Sequence, residues 1–326
     1  MLAAILLLLF GFAILIKGAD FLVNGASSAA KRYGISNLAI GLTVVAFGTS
    51  TPELIVSLLA AFNGQNDASF GNAIGSNNFN LLLVLGVAGI IYPLVVQKNT
   101  VKYEVPLSIL ATGVLYLLIN DSLLWQSEQN ILSRPDSIIL LLFFVGFMLY
   151  IYRTMANTSD LGEQGNVKIY SMPKSMGLVA IGLAMLVGGG KLVVDNAIAL
   201  AHNFGLSEKL IGLTILAAGT SLPELATSAV AAYRRNTDIA IGNVIGSNIF
   251  NVLFILGITG IVHPISYNDL MNFDIYVLVV STVVLMIFMF TMSKHKLDRW
   301  EAAILLIGYF AYTIYLIGSE SAPVGQ

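Results

Sequence analysis

Thr49, Ser50 and Glu53 stand three and four residues apart, a spacing that puts two hydroxyls and a carboxylate on one face of a helix. Asn72, Ser76 and Asn80 follow at intervals of four and form a polar stripe on a second helix. Both stretches lie in apolar sequence of membrane-spanning length, where an ionisable group is costly and marks a functional site by default. Two such faces can make an all-oxygen cage. Carboxylate, hydroxyl, amide and backbone carbonyl oxygens, without sulfur or imidazole, suit a hard cation such as Ca2+ or Na+ and disfavour Zn2+ and Cu+. The chain has no cysteine, so thiolate sites are excluded, and its three histidines, His202, His263 and His295, fall near predicted helix ends, which disfavours a buried histidine site.

The same text occurs twice. The run from Gly48 to Glu53 returns 171 residues later as Gly219 to Glu224, and the run from Gly71 to Asn80 returns as Gly242 to Asn251. From Gly34 to Pro93 the copies align without a gap, with about half of the 60 paired positions identical, so the chain is an internal duplication. The duplicate set is Thr220, Ser221 and Glu224 with Asn243, Ser247 and Asn251. Two glutamates would neutralise one Ca2+, whose flexible oxygen shell suits these groups better than the strict octahedron of Mg2+.

A lone Thr-Ser pair in a membrane helix is usually a packing or hydrogen-bonding element. A glutamate duplicated with its neighbours and beside a proline is read as functional. Asn72 and Asn243 are expected to bond helix to helix, and Asn80 and Asn251 to ligate an ion. Pro52 has no N–H for the carbonyl of Gly48, and Pro223 none for that of Gly219, so both helices must kink and free nearby carbonyls. Freed carbonyls at membrane depth must line a cavity or meet a ligand. Ala46, Thr49, Ala217 and Thr220 are the candidate backbone donors. Glycines 41, 48, 71, 75, 212, 219, 242 and 246 are expected to let helices approach closely. Lys17 with Asp20, and Lys191 with Asp195, are read as snorkelling pairs.

The elements that carry these residues follow from composition. With 57% hydrophobic and 10% charged residues and a mean hydropathy of +0.84, the 326-residue chain is far more apolar than a soluble domain and reads as an integral membrane protein. Ten spans are expected, near 2–24, 37–62, 70–95, 103–120, 136–152, 175–200, 208–233, 239–262, 274–292 and 299–318. The N-terminal stretch has no basic leader and no small-residue cleavage site, and is read as a retained first span. The formal charge of −2 names no partner, and no basic-aromatic patch points to nucleic acid.

Orientation follows from Lys and Arg. With the N-terminus outside, twelve of these residues fall in inside loops and only Arg134 and Lys209 in outside ones. Five spans per half then invert the second half relative to the first. The expected architecture is an all-α polytopic membrane protein of ten helices in two inverted five-helix repeats. Its divisions are 1–152 (motif region 41–93), a cytoplasmic linker over 153–173, and 174–326 (motif region 212–264). Inverted repeats with broken helices at a midplane site predict a transporter.

The paired motifs resemble the two alpha-repeats of the calcium/cation antiporter superfamily, and most closely those of its prokaryotic sodium/calcium exchangers. The resemblance covers almost the whole chain. It implies Ca2+ ligation by Glu53 and Glu224 with the carbonyls of Thr49 and Thr220. It implies Na+ sites that add Ala46, Ser50, Ser76, Ala217, Ser221 and Ser247, with Asn80 and Asn251 facing the central position. It also implies that the first and sixth helices slide across the core formed by helices 2, 3, 7 and 8. Such exchangers commonly carry aspartate where this chain has Asn251, and asparagine at both equivalent positions also occurs in the proton/calcium branch. The expected function is therefore Na+/Ca2+ antiport in a prokaryotic plasma membrane with both termini outside, and H+/Ca2+ antiport through the same glutamates is the second reading. Ca2+ and Na+ are the transported ions, membrane lipid is the surroundings, and neither an organic cofactor nor a protein partner is expected. A passive channel is disfavoured by inverted repeats built for alternating access. An intramembrane hydrolase is disfavoured because no His or Lys stands beside the serines as base.

Overall fold

The computed structural model describes residues 2–98, 100–125, 129–155, 168–203, 217–291 and 295–321. In chain order its long helices are α1 (Leu2–Tyr33), α2 in two arms (Asn37–Thr49 and Thr51–Phe62), α3 (Asn66–Ile91), α4 (Thr100–Ile119) and α5 (Arg134–Thr154). The second half holds α6 (Met172–His202), α7 (Leu222–Tyr233), α8 (Thr237–Val262), α9 (Asp269–Phe288) and α10 (Arg299–Gly318). Among the described residues eight helices are long and apolar enough to cross a membrane, and α2 makes a ninth when its arms are taken together. The span expected over 208–233 is seen from Ala217 onward; residues 204–216, with Lys209 and Gly212, lie outside the described residues.

Helix ends depart from the hydropathy reading for local reasons. The span expected to end at 95 stops at Ile91, with Tyr92 (φ −147°, ψ 129°) extended before Pro93, whereas the span expected to end at 262 does so, with His263 (φ −140°, ψ 115°) extended before Pro264. A residue preceding proline is pushed into extended backbone, and this overrides the apolar Leu94-Val95 that follow Pro93. α1 instead runs nine residues beyond its expected end at 24, because Gly25 to Ala30 are small and buried. It ends where Gly34 takes φ 65°.

Short extended pairs among the described residues tie the helices together. Four two-residue strands, β1 (Leu94–Val95), β2 (Ile131–Leu132), β3 (Ile265–Ser266) and β4 (Lys296–Leu297), form two antiparallel clasps. β1 pairs with β4 and β2 with β3, so each clasp joins one half of the chain to the other.

α1 and α6 pack against each other through a glycine seam of seven-residue period. A methyl group built on Gly18 would lie 2.9 Å from the carbonyl oxygen of Gly182, and one on Gly25 would lie 2.7 Å from that of Ser175. Gly11 meets Gly189 in the same way, at 3.2 Å. The two helices therefore run antiparallel at backbone contact. Gly41 and Gly242 bring α2 and α8 equally close, with 3.2 Å from a methyl group built on Gly41 to the Cα of Gly242, whereas Gly75 has open space beside it and supports no close approach. Asp20 does not form the expected pair with Lys17. It takes the guanidinium of Arg234, which also donates to Asn24, and the amide of Asn236 donates to Ser27 Oγ at 2.9 Å. The turn between α7 and α8 is thus tied to α1.

Candidate functional site

Two breaks create the centre of the site. Ser50 (φ −83°, ψ 6°) interrupts α2, and Ser221 (φ −90°, ψ 8°) sits at the same place ahead of α7. Pro52 and Pro223 then occupy the first turn of the following helical arm, where a missing N–H costs nothing. The 45° bend in α2 is the kink that the proline demanded.

The breaks face each other across the two halves. Ser50 Oγ donates to Glu224 Oε1 at 3.0 Å, and Ser221 Oγ donates to Glu53 Oε1 at 3.0 Å. Ser247 Oγ adds a weaker donation to Glu224 Oε1 at 3.4 Å. Both glutamates are fully buried. Among the described residues neither carboxylate has a Lys or Arg partner. A buried carboxylate without a cationic side chain is costly to keep charged unless an ion completes it.

Each glutamate is fixed from behind. Asn72 Nδ2 donates to the backbone carbonyl of Glu53 at 3.0 Å and to Ser57 Oγ at 2.9 Å, while its Oδ1 accepts from Thr220 Oγ1 at 3.3 Å. Asn243 repeats the set with the carbonyl of Glu224, with Ser228 and with Thr49 Oγ1. Both amides are saturated, in keeping with the helix-to-helix role expected of them. The threonine hydroxyls point to these asparagines. Of the candidate backbone donors, the Ala46 carbonyl accepts the Ser50 N–H at 2.9 Å and Thr49 Oγ1 at 3.3 Å, while Ala217 opens a short turn at Ala217–Gly219.

Asn80 and Asn251 lie within π-helical turns, Phe79–Val84 and Phe250–Ile255. Such turns occur often at functional sites, and the four-residue spacing of Asn72, Ser76 and Asn80 gave no sign of them. Their amides are held by two residues that the sequence reading passed over. Asn80 Nδ2 donates to Asn248 Oδ1 at 3.2 Å, and Asn251 Nδ2 to Asn77 Oδ1 at 3.0 Å. The repeated Gly-Ser-Asn text contains Asn77 and Asn248, so the signal was present but unassigned.

Several polar atoms of the two motifs remain unpaired. Glu53 Oε2, Glu224 Oε2, Ser76 Oγ, Asn80 Oδ1 and Asn251 Oδ1 are buried oxygens without a hydrogen-bond partner. Leaving a buried polar atom unsatisfied costs about 1–3 kcal/mol. With Asn78 Oδ1 the twin motifs hold six such atoms, all of them oxygens of the kind that suits a hard cation. Among the described residues no cluster of three or more His, Cys, Asp or Glu exists.

Comparison with known proteins points to one family. A family model described as sodium/calcium exchanger protein matches residues 3–153 and 174–318. The inner membrane protein YrbG of Escherichia coli is 38% identical over 272 residues, covering 81% of this chain and 81% of its own. The sodium/calcium exchanger MaX1 of Methanosarcina acetivorans is 32% identical over 343 residues, covering 95% and 97%. Among solved structures, the sodium-calcium exchanger NCX_Mj soaked with Na+ and Ca2+ superimposes with a TM-score of 0.80 at 32% identity, covering 97% of this chain and 99% of that one.

Proposed function

The chain belongs to the family of sodium/calcium exchanger proteins, and from that premise we propose that it is a secondary active antiporter exchanging Na+ for Ca2+ at one oxygen-lined site. The observation that carries this reading is the pair of buried glutamates, each taking a serine from the opposite half and each keeping one oxygen unpaired. One Ca2+ neutralises two carboxylates. The proposed Ca2+ ligands are Glu53 and Glu224 with the carbonyls of Thr49 and Thr220. The proposed Na+ positions add Ala46, Ser50, Ser76, Ala217, Ser221 and Ser247, and Asn80 and Asn251 face the centre. Coupling follows when each ion favours a different arrangement of the same site, because an ion shifts an equilibrium only by its differential affinity for the two states.

With three Na+ in place of one Ca2+ the site carries one net positive charge, so exchange moves charge across the membrane. The test is Ca2+ flux in proteoliposomes at clamped voltage and pH. An imposed Na+ gradient is expected to drive Ca2+ uphill. A neutral Asn251, where such exchangers commonly carry aspartate, favours the second reading of H+/Ca2+ exchange. A pH gradient that moves Ca2+ uphill without Na+ would establish that reading in place of the first.

The same proposal takes the chain as ten spans in two inverted repeats with both termini outside a prokaryotic plasma membrane. The cysteine-free sequence makes this simple to check, since a single introduced thiol is unique. A cysteine placed in the linker 153–173 is expected to react with an impermeant maleimide only from the cytoplasmic side. Labelling from outside would overturn the orientation.

A further inference from the structure

An asparagine can present either end of its amide to an ion, and only the oxygen end binds a cation. Four asparagines at the crossing of α3 and α8 fix this choice. Asn77 Nδ2 donates to the backbone carbonyl of Asn248 at 3.1 Å, and Asn248 Nδ2 donates to the backbone carbonyl of Asn77 at 3.3 Å. A carbonyl can only accept, so turning either NH2 end away would set an amide oxygen against a carbonyl oxygen in a buried place. Their oxygens are thereby committed to face the neighbouring turn. Asn251 Nδ2 meets Asn77 Oδ1 at 3.0 Å, and Asn80 Nδ2 meets Asn248 Oδ1 at 3.2 Å. All four side chains are at most 1% exposed. What the ring leaves over is Asn80 Oδ1 and Asn251 Oδ1, both buried and unpartnered.

We infer that Asn77 and Asn248 are positioning residues that set the amide polarity of Asn251 and Asn80, so that two oxygens and no N–H face the transported cation. The inference rests on the exchange reading above and says how a site with neutral asparagine at both positions remains cation-selective. Orientation runs in one direction, from an immovable backbone carbonyl, through a side chain that touches no ion, to the amide that does. Aspartate at position 251 would need no such control, since both ends of a carboxylate are oxygens. It would also set a second acceptor against Asn77 Oδ1.

A double-mutant cycle tests this in the full-length chain by equilibrium binding of radioactive Ca2+ to purified protein, with thermal unfolding recorded alongside. Asn77→Ala is expected to weaken Ca2+ binding by about 10- to 100-fold, the range typical of residues that orient a metal ligand. In the Asn251→Asp background the same change is expected to cost less than about threefold, because there is no amide left to orient. Equal losses in both backgrounds would overturn the inference and reduce Asn77 to a strut between α3 and α8. Thermal unfolding confirms that each variant is folded at the temperature of the binding assay, so that a change in affinity is not a loss of folded protein. Should Asn77→Ala fail to fold, the mirror cycle of Asn248→Ala with Asn80→Asp carries the same prediction through the other half of the ring. If the unaltered chain binds no Ca2+ at all, the exchange reading fails first, and the two failures are distinguishable.

Discussion

Glu53→Gln and Glu224→Gln are each expected to abolish Ca2+ transport in proteoliposomes carrying equal amounts of folded protein. Glutamine keeps an oxygen that can accept Ser221 Oγ or Ser50 Oγ, the bonds measured at 3.0 Å, so the change removes charge while preserving the local frame. The site then offers one carboxylate to a divalent ion, and among the described residues no third Asp or Glu joins the pair. Truncating one partner of a buried charge pair costs about 3–5 kcal/mol. At about 1.4 kcal/mol per tenfold, that is a loss of two to four orders of magnitude in affinity. Robust exchange by either variant would remove the paired glutamates from the ion path.

Gly182→Val is expected to prevent assembly of the α1–α6 pair. A Cβ at this position would lie 2.7 Å from the backbone nitrogen of Leu22 and 2.8 Å from the carbonyl oxygen of Gly18. Both are main-chain atoms that cannot swing aside, so the helices must part along their length. Overpacking in a well-packed core costs about 1–3 kcal/mol when neighbours can shift, and more when they cannot. Gly188→Ala on the same helix is the matched control, because nothing lies within 4 Å of its added methyl group. It should be neutral or slightly stabilising, since alanine favours a helix over glycine by about 1 kcal/mol. Thermal unfolding of the purified proteins separates the two cases, and equal melting temperatures would contradict the seam.

The glutamates, the broken helices and most of the spans were legible in the sequence because each rests on something that composition cannot disguise. A carboxylate in an apolar run, a proline in a helix and a duplicated ten-residue text are such features. What escaped notice depends on how one element meets another. Asn77 sits beside Ser76 and looks like one more member of a polar stripe, and only the reciprocal bonds with Asn248 separate an orienting residue from a ligand. The π-turns at Asn80 and Asn251 widen a helix locally without altering the order of its residues. Lys17 and Asp20 share a helix turn, yet the aspartate goes to Arg234, more than two hundred residues away, because the turn after α7 folds back on α1. The seam glycines at 11, 18 and 25 have a clear period, but their partners at 189, 182 and 175 become apparent only once the helices are known to run antiparallel.

The two clasps set an order on biosynthesis. β1, at Leu94–Val95, has no partner until Lys296–Leu297 has been made, some two hundred residues later. At about 5–20 residues per second on the ribosome, that wait is roughly 10–40 s. Glu53 likewise stands without its serine until Ser221 emerges. The nascent first half must therefore be held in the bilayer with an unpaired strand and an uncompensated carboxylate. A ribosome that stalls in the second half leaves behind a membrane-inserted fragment whose fold the missing residues were meant to close.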